Sequence, residues 1–234
     1  MLSINIEAKK NKASDLFHHK FEDFILRSVN IENIENIHLL KNSNKLFTKG
    51  TDQSSWLHKI IYKEFDKADN SEVILAYYQL CSFLVKDLFE STKIHDWAIQ
   101  RFPSVRIQYP ENLSVFEFHR DSDYNHPLGE INFFMAITSC FGTAALHIEK
   151  NLGWENYEPL TLNPGEFAMI NTSILKHGDF INKENFTRIS VDFRMIPLQN
   201  LRNNEQKASL SKNRRFNENE YFRNYYEIND LIRI

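Results

Sequence analysis

Apolar positions recur at helical spacing through the first hundred residues. Over residues 71–88 (SEVILAYYQLCSFLVKDL), Val73, Leu75, Tyr78, Leu80, Phe83, Leu84 and Leu88 trace a broad apolar face. That face predicts a helix, with Ser71 or Asp69 as its N-cap. Weaker helical stretches precede it at 14–29 and 54–66, and the Asn-, Ser- and Lys-rich segment 30–52 reads as irregular. After Arg101 short β-branched and aromatic runs take over, at 105–109, 114–120, 131–138, 144–149, 158–162, 166–170, 177–182 and 187–196. Pro110, Gly129, Gly142, Gly153 and Gly165 are among the residues that separate them. Some eight strands at this spacing predict a β-sandwich or barrel. Residues 201–220 are polar and read as a linker or exposed turn. Residues 221–234 regain aromatic and apolar character, so this tail should dock on its own barrel or on a second subunit as a homodimer contact. The chain is thus expected to be mainly β with an α-helical N-terminal part, one structural domain divided at 1–98, 99–198 and 199–234.

Composition narrows the class. The 234 residues are 42% hydrophobic and 25% charged, close to ordinary globular chains, which excludes a disordered chain, a collagen or a disulfide scaffold. With 28 basic and 31 acidic residues the net charge is −3, too balanced for a nucleic-acid binder by charge alone. No apolar run nears the roughly 18 residues of a membrane span. The N-terminal stretch lacks a signal-peptide core, and Cys81 and Cys140 lie among apolar neighbours as buried thiols would. A soluble cytoplasmic protein is expected. The 19 Phe and 9 Tyr predict an aromatic interior.

The candidate chemistry lies in the β region. His119 and Asp121 form an H-x-D pair at the end of a predicted strand, where residues i and i+2 share a face. His177 follows 55 intervening residues later, and Arg188 eleven beyond it, with Ser190 on the face of Arg188. H-x-D by itself also describes a surface polar pair, and a lone His is commonly structural. Two imidazoles and a carboxylate, however, make the facial triad of non-haem Fe(II) oxygenases, which leaves three coordination positions open. A guanidinium buried at Arg188 needs an anion. A dicarboxylate cosubstrate would supply one, held by two parallel hydrogen bonds with Ser190 adding a third.

The stretches FHRDSDYNHPLGEINFFMAIT, LHIE, PGEFAMINTSILKHGDFIN and TRISVDFRMIP resemble the Fe(II)/2-oxoglutarate-dependent oxygenases of the double-stranded β-helix fold. More narrowly they resemble the oxygenase-like proteins of streptomycin biosynthesis and bacterial carbohydrate gene clusters. The resemblance spans residues 105–197 and implies a jelly-roll, cupin-like core flanked by helices. It implies His119, Asp121 and His177 as iron ligands, Arg188 and Ser190 at the distal carboxylate of 2-oxoglutarate, and O2 as cosubstrate. It says nothing of the helical part or the tail.

Other polar residues divide by position. Gln108 either contacts 2-oxoglutarate, as an amide near there does in related oxygenases, or faces water as an ordinary strand residue. Asn132 shares a face with Glu130 and is a cosubstrate or substrate contact. Tyr124 and His126 follow Asp121 and would form the rim over the metal, as substrate contacts. His126 could also compete as a ligand. His147 would stand on the facing wall, again toward substrate, or else on the surface. Asp192 and Arg194 read as a structural ion pair. A rim of Tyr124, His126, Asn132 and His147 carries little charge and suits a small polar substrate, a sugar, nucleotide sugar or cyclitol. Two alternatives remain: a protein or amino-acid hydroxylase with the same chemistry, and a cupin-like isomerase or sugar-binding protein. Arg188 discriminates against the last, because without 2-oxoglutarate a buried cation there lacks a partner.

Overall fold

A computed structural model describes residues 6–40, 53–114, 117–203, 208, 215–218 and 220–232. Helix α1 (Lys12–Val29) starts at Asn11, whose side chain accepts from the backbone of Ala13 and Ser14 while Ser14 caps back, a reciprocal cap. Helix α2 spans Trp56–Phe65. Helix α3 (Glu72–Thr92) is capped by Ser71, and ends where Lys93 turns left-handed at φ 60°. The buried face of α3 runs through Val73, Ile74, Tyr77, Leu80, Cys81, Leu84 and Leu88, whereas Phe83 is exposed. The stripe predicted from sequence is therefore rotated by a fraction of a turn. Of the irregular segment, residues 34–39 form a 3-10 helix, and 41–52 lie outside the described residues.

Among the described residues nine strands follow: β1 (Trp97–Gln100), β2 (Ser104–Gln108), β3 (Ile131–Ala136), β4 (Leu146–Glu149), β5 (Tyr157–Leu160), β6 (Phe167–Ile170), β7 (His177–Gly178), β8 (Arg188–Pro197) and β9 (Phe222–Asn224). The large antiparallel sheet runs β6-β3-β8-β1-β9, with β2 also paired to β8. The small sheet runs β5-β4-β7. Strand β8 is central: β3 lies along one edge, and β2 then β1 along the other. Two strands expected from sequence shrink. Residues 117–120 contribute only a bridge between His119 and His177, with 115–116 outside the described residues, and the run from 177 pairs over two residues. The strand texture begins earlier than Arg101, at Trp97.

Alternation in β8 builds the site. Ile189, Val191, Phe193 and Met195 enter the core shared with Phe17, Phe21 and Tyr77, and the Tyr77 and Phe193 rings meet edge to face at 5.2 Å. Arg188, Asp192 and Arg194 face the other way, into a cavity between the sheets. In β3, Phe133 and Met135 take the helix side, while Phe134 and Ala136 pack with Leu146 and Ile148 of β4. The tail docks on its own chain: β9 pairs with β1, and helix α5 (Tyr225–Leu231) packs on α3. Much of the polar linker lies outside the described residues. Its start is a short helix, α4 (Leu198–Arg202). No helix among the described residues is long and apolar enough to cross a membrane. Both cysteines are buried and free.

Candidate metal centre

The antiparallel bridge between His119 and His177, with reciprocal backbone bonds of 3.0 and 2.9 Å, sets the two imidazoles side by side with ring centroids 4.6 Å apart. His119 Nδ1 contacts the carbonyl of Glu117 at 2.8 Å and His177 Nδ1 that of Leu175 at 3.0 Å. If each Nδ1 carries the proton and donates it there, each Nε2 is left with a lone pair. Both Nε2 atoms lie 3.8 Å from Asp121 Oδ1, and the three side chains form a group able to hold a metal ion. Burial and the neighbouring His177 push the His119 imidazole down to about 4, against the Glu117 bond and the Asp121 charge. It is neutral at neutral pH, as a ligand must be.

The other carboxylate oxygen is tied off. Asp121 Oδ2 accepts from Thr172 Oγ1 at 2.6 Å and from Arg194 Nη2 and Nε at 2.8 and 3.1 Å. Burial pushes this carboxyl up, but the Arg194 charge, followed by the neighbouring His177 and His126 side chains and the Thr172 bond, outweighs it and holds the group well below the usual range. One oxygen is anchored and one is left for a cation, which fixes the orientation of the ligand. Arg194 does pair with Asp192, at 3.0 Å, as the sequence suggested. Its larger role, clamping Asp121, was not visible there. Asp192 also receives Arg106 at 2.6 Å, and burial notwithstanding, Arg106 and Arg194 bring its carboxyl down to about 2.

Arg188 is fully buried but is not short of an anion. Its Nη1 and Nη2 donate to the two oxygens of Asp179 at 2.9 and 3.0 Å, and Ser114 touches both partners. The expectation that this cation requires a cosubstrate is corrected: Asp179, two residues past His177, already neutralises it. The Nε of Arg188, Oγ of Ser190 and Oδ1 of Asn132 are buried without a hydrogen-bond partner among the described residues.

The remaining candidates scatter. Asn132 lines the cavity. Gln108 is buried, and its Nε2 donates to the carbonyls of Phe180 (2.6 Å) and Asn112 (3.3 Å). It ties down the segment bearing Asp179 and is not the exposed strand amide, while its Oε1 is buried without a hydrogen-bond partner among the described residues. Tyr124 meets the His119 ring edge to face at 5.0 Å, beside the metal site as expected. His126 does not line the cavity: its Nδ1 contacts Glu130 at 2.8 Å and its ring lies 4.5 Å from Phe216. It joins Asp121 and Glu130 in a second group of ligand-type atoms, but the Arg194 guanidinium stands between these carboxylates, 3.6 Å from Glu130. His147 is also corrected. Leu146 lines the cavity and Ile148 pairs with the inward His177, so His147 takes the outer face of the small sheet, its ring 4.6 Å from Phe180. Thr172, Asp179 and Arg106 are the site residues that sequence reasoning missed, together with the grip of Arg194 on Asp121. The line of polar residues on one face of β8 and the position of Asp179 two past a ligand were the available signals.

No protein-family model matches the chain. The chain is similar to the streptomycin biosynthesis protein StrG of Streptomyces griseus, 29% identical over 175 residues, covering 74% of this chain and 79% of that protein. Among solved structures it is similar to the nickel complex of the non-heme monooxygenase ThoJ, at 13% identity and TM-score 0.44, over 85% of this chain and 74% of that one. It is also similar to SnoN, a non-heme α-ketoglutarate-dependent epimerase from nogalamycin biosynthesis, at 10% identity and TM-score 0.45, over 78% and 73% of the two chains.

Proposed function

We propose that the protein is an Fe(II)/2-oxoglutarate-dependent oxygenase acting on a small polar metabolite. The observation that carries this reading is the convergence of His119 Nε2, His177 Nε2 and the free oxygen of Asp121, at 3.8 Å from that oxygen, with its twin oxygen anchored. Two neutral nitrogens and one carboxylate suit Fe(II) and leave coordination positions for other ligands. The alternation of consecutive segments between sheets (β3 large, β4 and β5 small, β6 large, β7 small, β8 large) supports a double-stranded β-helix core.

Charge supports the cosubstrate. Arg106, Arg188 and Arg194 face four carboxylates, Asp121, Asp179, Asp192 and Glu130, in and around the cavity. A divalent cation would leave one positive charge over, and the proximal carboxylate of a 2-oxo acid cancels it. Fe(II) with 2-oxoglutarate and O2 supplies, when bound, an oxidant able to remove a hydrogen atom from a C–H bond, the cosubstrate leaving as succinate and CO2. The chain's own part is to present three donors, hold Asp121 through Thr172 and Arg194, and offer Arg188, Ser190 and Asn132 to the cosubstrate. The arginine, aspartate and asparagine lining suits a hydroxyl-bearing substrate. A sugar or cyclitol is the class we infer, in keeping with a relative named for streptomycin biosynthesis.

The pairing of Arg188 with Asp179 favours one second reading, a metal-binding barrel that uses no 2-oxo acid. Anaerobic titration separates the two. Fe(II) followed by 2-oxoglutarate should develop the weak visible charge-transfer band of a chelated centre, and iron binding without any response to 2-oxoglutarate would select the second reading.

A further inference from the structure

The oxygenase reading gives Arg188 the distal carboxylate of 2-oxoglutarate, yet Arg188 already holds a carboxylate. Asp179 takes both terminal nitrogens side by side, at 2.9 and 3.0 Å. It is 5% exposed, and Gln108 pins the next residue through the Phe180 carbonyl at 2.6 Å, so the pair is built into the wall. Ser114 closes the arrangement by touching both partners. The Phe134 ring lies 5.8 Å from the guanidinium carbon. What remains on this face of β8 is the Nε edge of Arg188 and the hydroxyl of Ser190, two buried groups with no partner among the described residues.

We propose that Asp179 is a specificity-determining residue for the cosubstrate. By neutralising Arg188 and occupying its fork, it leaves the Nε edge and Ser190 as the docking point for the far end of a 2-oxo acid, whether or not that end is charged. The proposal rests on the oxygenase reading. A guanidinium with no counter-ion separates a dianionic 2-oxo acid from its monoanionic analogue by roughly thirty- to a thousandfold, the range for a buried charge-assisted contact. With Asp179 in place, an incoming carboxylate meets a pair of no net charge and shares the cation with a like charge, so most of that discrimination disappears. Asparagine at 179 keeps the shape and one acceptor but removes the charge. The guanidinium is then uncompensated, and a distal carboxylate becomes the group that satisfies it.

The test is calorimetry on Mn(II)-loaded protein without oxygen, titrating 2-oxoglutarate and, separately, 2-oxopentanoate, which has the same five carbons and no distal carboxylate. Wild type should prefer 2-oxoglutarate by less than roughly thirtyfold, and Asp179→Asn should raise that preference at least tenfold. A wild-type preference above thirtyfold overturns the proposal, as does an unchanged preference in Asp179→Asn. The wild-type ratio decides alone should the variant fail to fold. If the protein binds Mn(II) but neither acid, the oxygenase reading itself fails and the proposal falls with it, a result distinct from binding without the expected selectivity.

Discussion

Replacing Thr172 by valine tests the anchoring of the carboxylate ligand with the smallest available change. The side chain keeps its shape and loses one donor, the hydroxyl that reaches Asp121 Oδ2 at 2.6 Å. The backbone bond from Asp121 N–H to the Thr172 carbonyl, 2.9 Å, is untouched. A hydrogen bond to a charged acceptor is worth about 1.5–3 kcal/mol. Arg194 still donates twice to the same oxygen, so stability should fall by the lower part of that range, about 1.5–2 kcal/mol. Metal binding should suffer more visibly, because the free oxygen is aimed by the anchored one. Loss of an outer partner of a ligand typically costs about 10–100-fold in affinity. Calorimetric titration with Co(II) at neutral pH reads this directly. Thr172→Ser retains the hydroxyl and should bind within about threefold of wild type. Wild-type affinity in Thr172→Val would refute the anchoring argument. Equal losses in Val and Ser would assign the effect to packing instead.

His119→Ala and His177→Ala should abolish tight Fe(II) binding with little change in stability, whereas Asp121→Ala should also destabilise the fold by about 3 kcal/mol, since it strips a buried partner from Arg194; metal analysis beside urea unfolding checks both, and wild-type stability in Asp121→Ala would remove the Arg194 clamp. His147→Ala, on the outer face of the small sheet, should leave metal binding intact in the same assay. The metal-free protein should lose stability as pH falls from 6.5 toward 4, because the unfolded chain takes up a proton that folded His119, pushed down to about 4, refuses. That contribution is complete above 6.5. Asp192, brought down to about 2, contributes above the ordinary carboxylate value of 3.8 and loses its share between there and 2. His18 and His147, also held below 6.5 by burial, add to the same window, so His119→Gln should reduce its slope without abolishing it, and an unchanged slope between 6.5 and 4 would show that His119 contributes nothing there.

Local information carried much of this protein. The helical face over 71–88 and its Ser71 cap, the run of strands after residue 100, and the metal-type spacing of His119, Asp121 and His177 all follow from side-chain period and residue type. The helical face, the strands and the His119–Asp121 pair depend on neighbours within a few positions; His177, 55 intervening residues further on, was added by the joint pattern and the family resemblance. The alternation of Arg188, Ser190, Asp192 and Arg194 along one strand was equally legible.

What those arginines face was decided only by closure of the two sheets. Arg194 meets Asp121 across 73 positions of chain, and Thr172 meets it across 51, contacts that no local pattern specifies. Alternation assigns His147 and Leu146 to opposite faces of β4 but cannot say which is inward. The register that pairs Ile148 with His177 settles that. The three-residue strand β9 is too short to announce itself and exists because β1 offers it an edge. Arg188 shows the limit most plainly. Its burial was readable from the apolar run around it, and burial of a charge demands a partner. Whether that partner comes from a ligand or from Asp179 is a matter of which carboxylate the folded chain brings within 3 Å, and only the tertiary structure supplies it.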